Sequence, residues 1–188
     1  DCTLRDGGYY NNWNFDIKNA YKYLKSSYSA NIDIIEIGFK FFEKNKNYGS
    51  FAFVDSKLMK RIPKNRKTKI AIMINADDLL KIKGNYKKYL NNLFIKKAEP
   101  EVIRIATHFR DYKKIIKYIK HLKSLNYKIC FNLMQIKGVS NQELSRCLKD
   151  LKLSKSVDVF YFADSFGNLT PSDVKKICKT INKNWNKE

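Results

Sequence analysis

The chain has 188 residues, of which 44% are hydrophobic, and this combination predicts one globular domain and excludes an intrinsically disordered protein. Lysine and arginine outnumber aspartate and glutamate by 38 to 18, which gives a formal net charge of +20. The lysines are scattered along nearly every predicted helix, so we expect a solvated basic surface and no nucleic-acid partner. No apolar run approaches the roughly 20 residues that span a bilayer, so no membrane partner is expected.

The four cysteines show no CxxC spacing, and they therefore predict neither a zinc cluster nor a disulfide framework. A reducing cytoplasm is the expected compartment. Cys2, Cys130 and Met134 are interpreted as core-packing residues.

The chain opens with a short alternation of apolar and polar residues, Cys2–Leu4. This pattern predicts a first strand whose tip carries the charged pair Arg5 and Asp6. Gly7 and Gly8 follow, and glycine can adopt the positive φ that an abrupt turn requires.

Beyond this segment the sequence alternates between strand and helix patterns. Strands are predicted over 32–39, 69–74, 102–107, 127–133 and 157–163. Helices are predicted over 16–29, 56–62, 77 to about 97, 111–125, 141–153 and from 171 onward. Asp16 and Thr170 suit N-caps, Pro171 suits a first helical position, and Gly84 marks an uncertain break.

Six strands alternating with six helices predict an α/β fold with a parallel sheet. A doubly wound open sheet and a (β/α)₈ barrel both fit this count. The glycine-rich phosphate-binding patterns GxGxxG and GxxxxGK are absent, so dinucleotide and P-loop binding have no support.

In barrel enzymes the functional side chains follow the carboxyl ends of the strands. Here those ends carry Arg5, Asp6, Glu36, Asn75, Thr107, His108, Asn132, Met134, Asp164 and Ser165. The residue types alone leave simpler roles open for four of these positions. Glu36 suits a structural carboxylate paired with a lysine, His108 suits loop packing, and Asp164 with Ser165 suits a turn cap.

Four segments in order resemble motifs of one enzyme group: TLRDG at residues 3–7, Ile35–Gly38, Arg104–Ala106 and FADSFGNLTP at residues 162–171. The group is the pyruvate-carboxyltransferase-like, or DRE-TIM, metallolyase superfamily. It includes 4-hydroxy-2-oxovalerate aldolase, isopropylmalate and homocitrate synthases, and hydroxymethylglutaryl-CoA lyase. The longer string DCTLRDGGYYNNW is most similar to the aldolase-like branch. The resemblance implies a partial (β/α)₈ TIM barrel over 1–188, with about six βα units and with strands seven and eight beyond the given sequence.

The resemblance also implies a reaction, namely cleavage or formation of a carbon–carbon bond next to a 2-oxo acid. A divalent metal, Mg²⁺ or Mn²⁺, would be bound by Asp6 and two histidines and would act as a Lewis acid. Arg5 would hold the 2-oxo acid and stabilise its enolate, because a guanidinium stays charged and offers a planar fork. Further substrate-binding residues implied for the pocket are Glu36, His108, Asn132 and Ser165.

Two departures from the superfamily pattern concern histidines. The metal-binding His-x-His pair belongs at the end of strand seven, which we expect just after Glu188, whereas this sequence contains only His108 and His121. His121 is expected on a solvated helix surface. The aldolase branch commonly has a histidine as general base where this chain has Tyr9. A phenol is a poor base at neutral pH, so Tyr9 is a candidate catalytic proton relay or a pocket-lining residue.

Other functions stay open at this stage. An acyl-CoA-dependent Claisen synthase is the first alternative, although those synthases usually carry Glu-Gln after the RDG, where this chain has Gly8 and Tyr9. A non-catalytic scaffold domain is the second, and a basic nucleic-acid binder is the third. The expected partners are a small 2-oxo acid and either a partner dehydrogenase or further copies of the chain. The 188-residue piece is expected to be inactive by itself.

Overall fold

The computed structural model describes residues 1–94 and 100–185, which form an α/β fold with five parallel strands. The strands are β1 Ile34–Phe39, β2 Lys69–Asn75, β3 Val102–His108, β4 Lys128–Met134 and β5 Val159–Ala163. Their order in the sheet is their order in the chain. Successive parallel neighbours separated by helices are the repeat of a (β/α)₈ barrel, so the predicted partial barrel is confirmed over the described residues.

Helices connect these strands and also precede the first of them. They are α1 Thr3–Asn11, α2 Ile17–Ser29, α3 Ser56–Arg61, α4 Ala76–Leu80, α5 Tyr86–Leu93, α6 Tyr112–Ser124, α7 Asn141–Ser154 and α8 Pro171–Asn184. Short 3₁₀ turns cover Ser50–Ala52 and Phe109–Asp111. None of the helices in the two described ranges combines the length and apolar composition that a membrane span requires.

The chain divides into two compact units. The first contains Asp1–Ile74 and Lys88–Arg104, and the second contains Asn75–Lys87 and Ile105–Glu188. The first unit therefore holds α1 to α3, β1, β2 up to Ile74, α5 from Lys88 onward and β3 up to Arg104. The second holds Asn75, α4, the start of α5, the rest of β3, and α6, α7, α8, β4 and β5.

The prediction of a strand over Cys2–Leu4 is wrong, because helix α1 begins at Thr3. In the segment before α1, Asp1 pairs with the sheet: its amino group donates to the oxygen of Ile34, and its own oxygen accepts from the N–H of Glu36, both at 2.8 Å. Gly7 and Gly8 lie inside α1 without a positive φ. Cys2 is exposed and is not a core residue.

The other elements follow the predicted pattern with small shifts of their ends. The predicted helix over residues 77–97 is two helices, α4 and α5, with Gly84 at a φ of +73° between them. Residues 95–97 lie outside the described residues. Asp16 caps α2 by accepting from the N–H of Asn19, and Thr170 caps α8. These caps were predicted because their signals lie within one turn of the helix start.

The core of the second unit contains buried residues of β4 and β5 together with the buried faces of α6 and α7. Phe131 of β4 stacks on Phe160 of β5, with ring centroids 6.0 Å apart. The predicted apolar faces of α6 and α7 are buried, and their buried members include Ile115, Ile119, Leu122, Leu144, Leu148 and Leu151. Cys130 is buried as expected, and Met134 is half-buried. His121 is partly exposed on α6 and packs beside the ring of Tyr86, so it is less solvated than expected.

Candidate functional site

The predicted site residues of the first unit meet around Glu36 of β1. Arg5 donates from Nε to Oε1 of Glu36 at 2.6 Å, and Nε of Arg104 forms an ion pair with Oε2 at 2.8 Å. One carboxylate thus lies between two guanidinium groups. The side chains of Arg5, Glu36 and Arg104 are only 11%, 9% and 16% exposed. Glu36 is therefore paired with arginines and not with a lysine.

Arg104 is the member of this cluster that sequence reasoning missed as a site residue. It lies on β3, and its Nη2 also contacts Sδ of Met73 at 2.9 Å. Within the motif segment Arg104–Ala106 it was the one charged residue in an otherwise apolar strand. A charge inside a buried strand needs an opposite charge nearby, and this signal could have indicated a buried carboxylate partner.

The electrostatics of the cluster keep Arg5 charged. Burial acts to lower the pKa of Arg5, but the charge and hydrogen bond of Glu36, together with the charge of Asp6, outweigh it and raise that pKa above its ordinary value. A guanidinium held in this way is a permanent cation whose orientation is set by the carboxylates beside it.

Asp6 follows Arg5 on α1 and is the solvent-accessible carboxylate of the cluster. Its side chain is 53% exposed, forms an ion pair with Arg5, and accepts from Sγ of Cys2 at 3.0 Å. Although the Cys2 side chain is exposed, its thiol is partly desolvated, and this desolvation, and next the hydrogen bond to Asp6, raise the pKa of the thiol.

A divalent cation needs more ligands than Asp6 provides. In residues 1–94 and 100–185, no group of three His, Cys, Asp or Glu side chains is close enough together to hold a metal ion. The carboxylate of Asp6 suits Mg²⁺ or Mn²⁺ as one ligand. The described residues therefore fit part of a metal site and do not complete one.

Tyr9 lies outside the ion-pair cluster. It is 61% exposed, and its ring packs against Trp13 at 5.0 Å and Phe39 at 6.0 Å between centroids. Both candidate roles, proton relay and pocket lining, stay open for a side chain in this position.

The remaining predicted site residues lie in the second unit, each at or near the carboxyl end of its strand. His108 ends β3, and Asn132 lies two residues before the end of β4. Asn132 is 3% exposed, and its Oδ1 is buried without a hydrogen-bond partner among the described residues. Nδ1 of His108 is likewise a buried atom without a hydrogen-bond partner among the described residues. A buried polar atom of this kind is costly unless another group satisfies it, so both atoms are candidates for ligand contacts.

Ser165 is exposed in the turn after β5. Its neighbour Asp164 organises this turn by accepting from the N–H groups of Asn168 and Leu169, each at 3.0 Å. These hydrogen bonds lower the pKa of Asp164. Asp164 thus has the turn-capping role that its residue type had left open.

Comparison with known proteins gives matches among solved structures only. No family model matches the chain. No curated protein matches it either. The N-terminal domain of a Bacteroides vulgatus protein classed as an aldolase has a TM-score of 0.76 and 29% identity over 97% of this chain. Hydroxymethylglutaryl-CoA lyase from Pseudomonas aeruginosa has a TM-score of 0.69 and 10% identity over 98% of this chain, a likeness that shows the fold alone.

These matches define the class of fold, which is a partial (β/α)₈ barrel. They also support the resemblance to the DRE-TIM metallolyase superfamily that the four sequence motifs indicated. The chain spans 59% of the first matched structure and 63% of the second, or about three fifths of each.

Proposed function

We propose that this chain is the substrate-binding part of a carbon–carbon lyase of the aldolase kind, similar to 4-hydroxy-2-oxovalerate aldolase. The proposed substrate is a 2-oxo acid. The observation that carries the proposal is the buried pair Arg5–Glu36, with Asp6 beside it on α1. The match to a protein classed as an aldolase supports it.

Arg5 has the properties that binding of a 2-oxo acid requires. Glu36 accepts from its Nε, and this leaves the terminal Nη atoms on the side of the half-exposed Asp6. A substrate carboxylate or enolate oxygen would replace Asp6 at these atoms. In a site that excludes water, a fixed cation stabilises the negative charge that develops on the enolate oxygen.

Asp6 is the proposed metal ligand within this chain. A divalent cation, Mn²⁺ or Mg²⁺, would supply Lewis-acid stabilisation of the same oxygen, with its other ligands coming from beyond the described residues. The proposed substrate contacts in the second unit are His108, Asn132 and Ser165, and the first two contribute buried polar atoms without partners. Tyr9 is proposed as a proton relay, because its exposed hydroxyl can exchange protons with solvent.

The experiment uses the full-length protein from which this sequence comes. Release of pyruvate from a 4-hydroxy-2-oxo acid is measured with Mn²⁺, with Mg²⁺ and with excess chelator. We expect metal-dependent release, and we expect Arg5→Ala to lower kcat/KM about 10²- to 10³-fold, as loss of one oxyanion donor does. Arg110→Ala is the matched control, since the side chain of Arg110 is 81% exposed. Equal activities of the two variants would refute the role of Arg5.

Metal binding is measured separately by equilibrium dialysis with Mn²⁺. Asp6→Asn removes the carboxylate charge and should weaken Mn²⁺ binding at least tenfold, whereas Asp33→Asn, at an exposed position, should not.

Turnover that requires an acyl-CoA would favour the Claisen synthase instead. A protein with neither turnover nor metal binding would be the non-catalytic scaffold.

A further inference from the structure

We propose that Trp13 is a positioning residue, which holds Arg5 in place by lying against Gly8 and by bonding to the main chain of Arg5. What Arg5 binds rests on the proposed function above, whereas the positioning contact itself does not. The indole Nε1 donates to the main-chain oxygen of Arg5 at 2.9 Å, and Trp13 is only 3% exposed. The bond joins the loop after α1 directly to the residue that carries the guanidinium.

Gly8 makes this contact possible. A Cβ placed on Gly8 would lie 1.9 Å from Cδ1 and 2.1 Å from Nε1 of Trp13, so no other residue leaves room for the indole. The neighbouring Gly7 differs, because a Cβ there would meet only the ring of Phe15 at an ordinary 3.6 Å. Of the two adjacent glycines, the packing requires only the second.

Other rings hold the indole from its remaining sides. Phe39, Phe41 and Tyr48 lie at centroid distances of 5.3, 5.3 and 5.1 Å from Trp13. Phe39 also lies 5.9 Å from the guanidinium carbon of Arg5. One aromatic cluster therefore contacts Arg5 at its side chain through Phe39 and at its main chain through Trp13.

The backbone at Trp13 is strained in a way that this contact explains. Asn12 and Trp13 both have a φ of 56°, a region that bulky residues rarely adopt. The N–H of Gly49 donates to the oxygen of Asn12 at 2.8 Å and helps to hold this turn. Strain of this kind persists only when surrounding contacts demand it, and it is concentrated at functional sites.

Helix α1 needs such support because its local sequence is weak. Each interior glycine costs about 1 kcal/mol relative to alanine, and α1 contains two. Its N-cap residue, Cys2, makes no side-chain cap hydrogen bond, and the Asp1 side chain accepts from the N–H of Thr3 at 2.8 Å. Small misplacements of a binding group can cost about 100-fold in rate, so the position of α1 determines whether Arg5 can act.

The test compares Gly8→Ala with Gly7→Ala in the full-length protein. Both changes raise helix propensity equally, but only Gly8→Ala displaces the indole. We expect Gly8→Ala to raise the KM for the 2-oxo acid about tenfold and to lower kcat/KM about 100-fold. For Gly7→Ala, we expect both parameters to stay within about threefold of the wild-type values. If Gly8→Ala does not fold, Trp13→Phe, which keeps a ring but removes the N–H donor, should raise KM about fivefold.

A second readout does not depend on activity. Phenylglyoxal modifies accessible arginines, and its rate at Arg5 is followed by mass spectrometry of the peptide that contains it. Gly8→Ala and Trp13→Phe should be modified at Arg5 several-fold faster than wild type, and Gly7→Ala should not. If the variants show these modification rates but the full-length protein has no lyase activity, the positioning role is upheld and the proposed function is refuted. Equal modification rates in the two glycine variants would overturn the positioning role.

Discussion

Helix α1 and the two helices α7 and α8 are specified in opposite ways. In α7, Ser140 accepts from the N–H of Glu143 at 3.2 Å, and the Glu143 carboxylate accepts from the N–H of Ser140 at 3.0 Å. Thr170 and Asp173 form the same capping box at α8. Helix α1 has no capping box, its N-cap residue Cys2 makes no side-chain cap hydrogen bond, and it contains two interior glycines; it is held by Trp13 and by the ion pair of Arg5 with Glu36.

The difference shows where local sequence stops determining the structure. A capping box and an apolar stripe specify a helix within its own residues. The helix that carries Arg5 and Asp6 depends on contacts with residues outside it, Trp13 in the following loop and Glu36 on β1. A segment held in this way can be altered by a single distant substitution, and the four predictions below use this contrast.

The largest expected effect is at Glu36. Glu36→Ala leaves the guanidinium groups of Arg5 and Arg104 largely buried without their shared carboxylate, and we expect the free energy of unfolding to fall by about 3–5 kcal/mol. Urea denaturation measures it, with the exposed Glu43→Ala as control. A loss below about 1 kcal/mol would show that α1 and β3 do not depend on the cluster.

The capping boxes should give a smaller effect that stays local. Ser140→Ala and Thr170→Ala each remove one N-cap acceptor and should lower the free energy of unfolding by about 1 kcal/mol. Hydrogen exchange should accelerate in the first turn of the affected helix, with no change at the amides of α1. Faster exchange throughout the second unit would contradict a local role.

The same boxes should respond to acid. Hydrogen bonds from the Ser140 side chain and N–H lower the pKa of Glu143 below 4.5, and those from the Thr170 N–H and side chain lower that of Asp173 below 3.8. Because the folded pKa values are the lower ones, this stabilisation is fully present above the unfolded values and is lost as pH falls through the folded ones. The double variant Glu143→Gln with Asp173→Asn should therefore have a lower urea midpoint than wild type at neutral pH, and the two midpoints should become equal at about pH 2. A difference in midpoint that is independent of pH would contradict this assignment.

The smallest effect concerns the rates of thiol modification. Cys2 and Cys178 are exposed and should react in the native protein, whereas Cys130 and Cys147 are buried and should not. Burial, followed by the charge of Asp150, raises the pKa of Cys147 to about 12. Cys2 should react more slowly than Cys178, because partial desolvation of its thiol and the hydrogen bond to Asp6 raise its pKa. Asp6→Asn should accelerate modification of the Cys2 thiol. An unchanged rate would argue against the hydrogen bond between Cys2 and Asp6.

By itself the sequence determined the βα repeat and most helix ends, because apolar runs and caps such as Asp16 and Thr170 act within a few residues. It also identified Arg5, Asp6 and Glu36 as one candidate site, through their motifs. Only the tertiary structure decided that residues 3–11 form a helix, since Gly7 and Gly8 disfavour one and the contacts of Trp13 and Glu36 overcome this preference. It also decided that Arg104 shares Glu36 with Arg5. The physical reason is the same in both cases: the contacts are tertiary, because Glu36 lies far along the chain from both arginines and the indole of Trp13 is held by Phe39, Phe41 and Tyr48, so no local pattern records them.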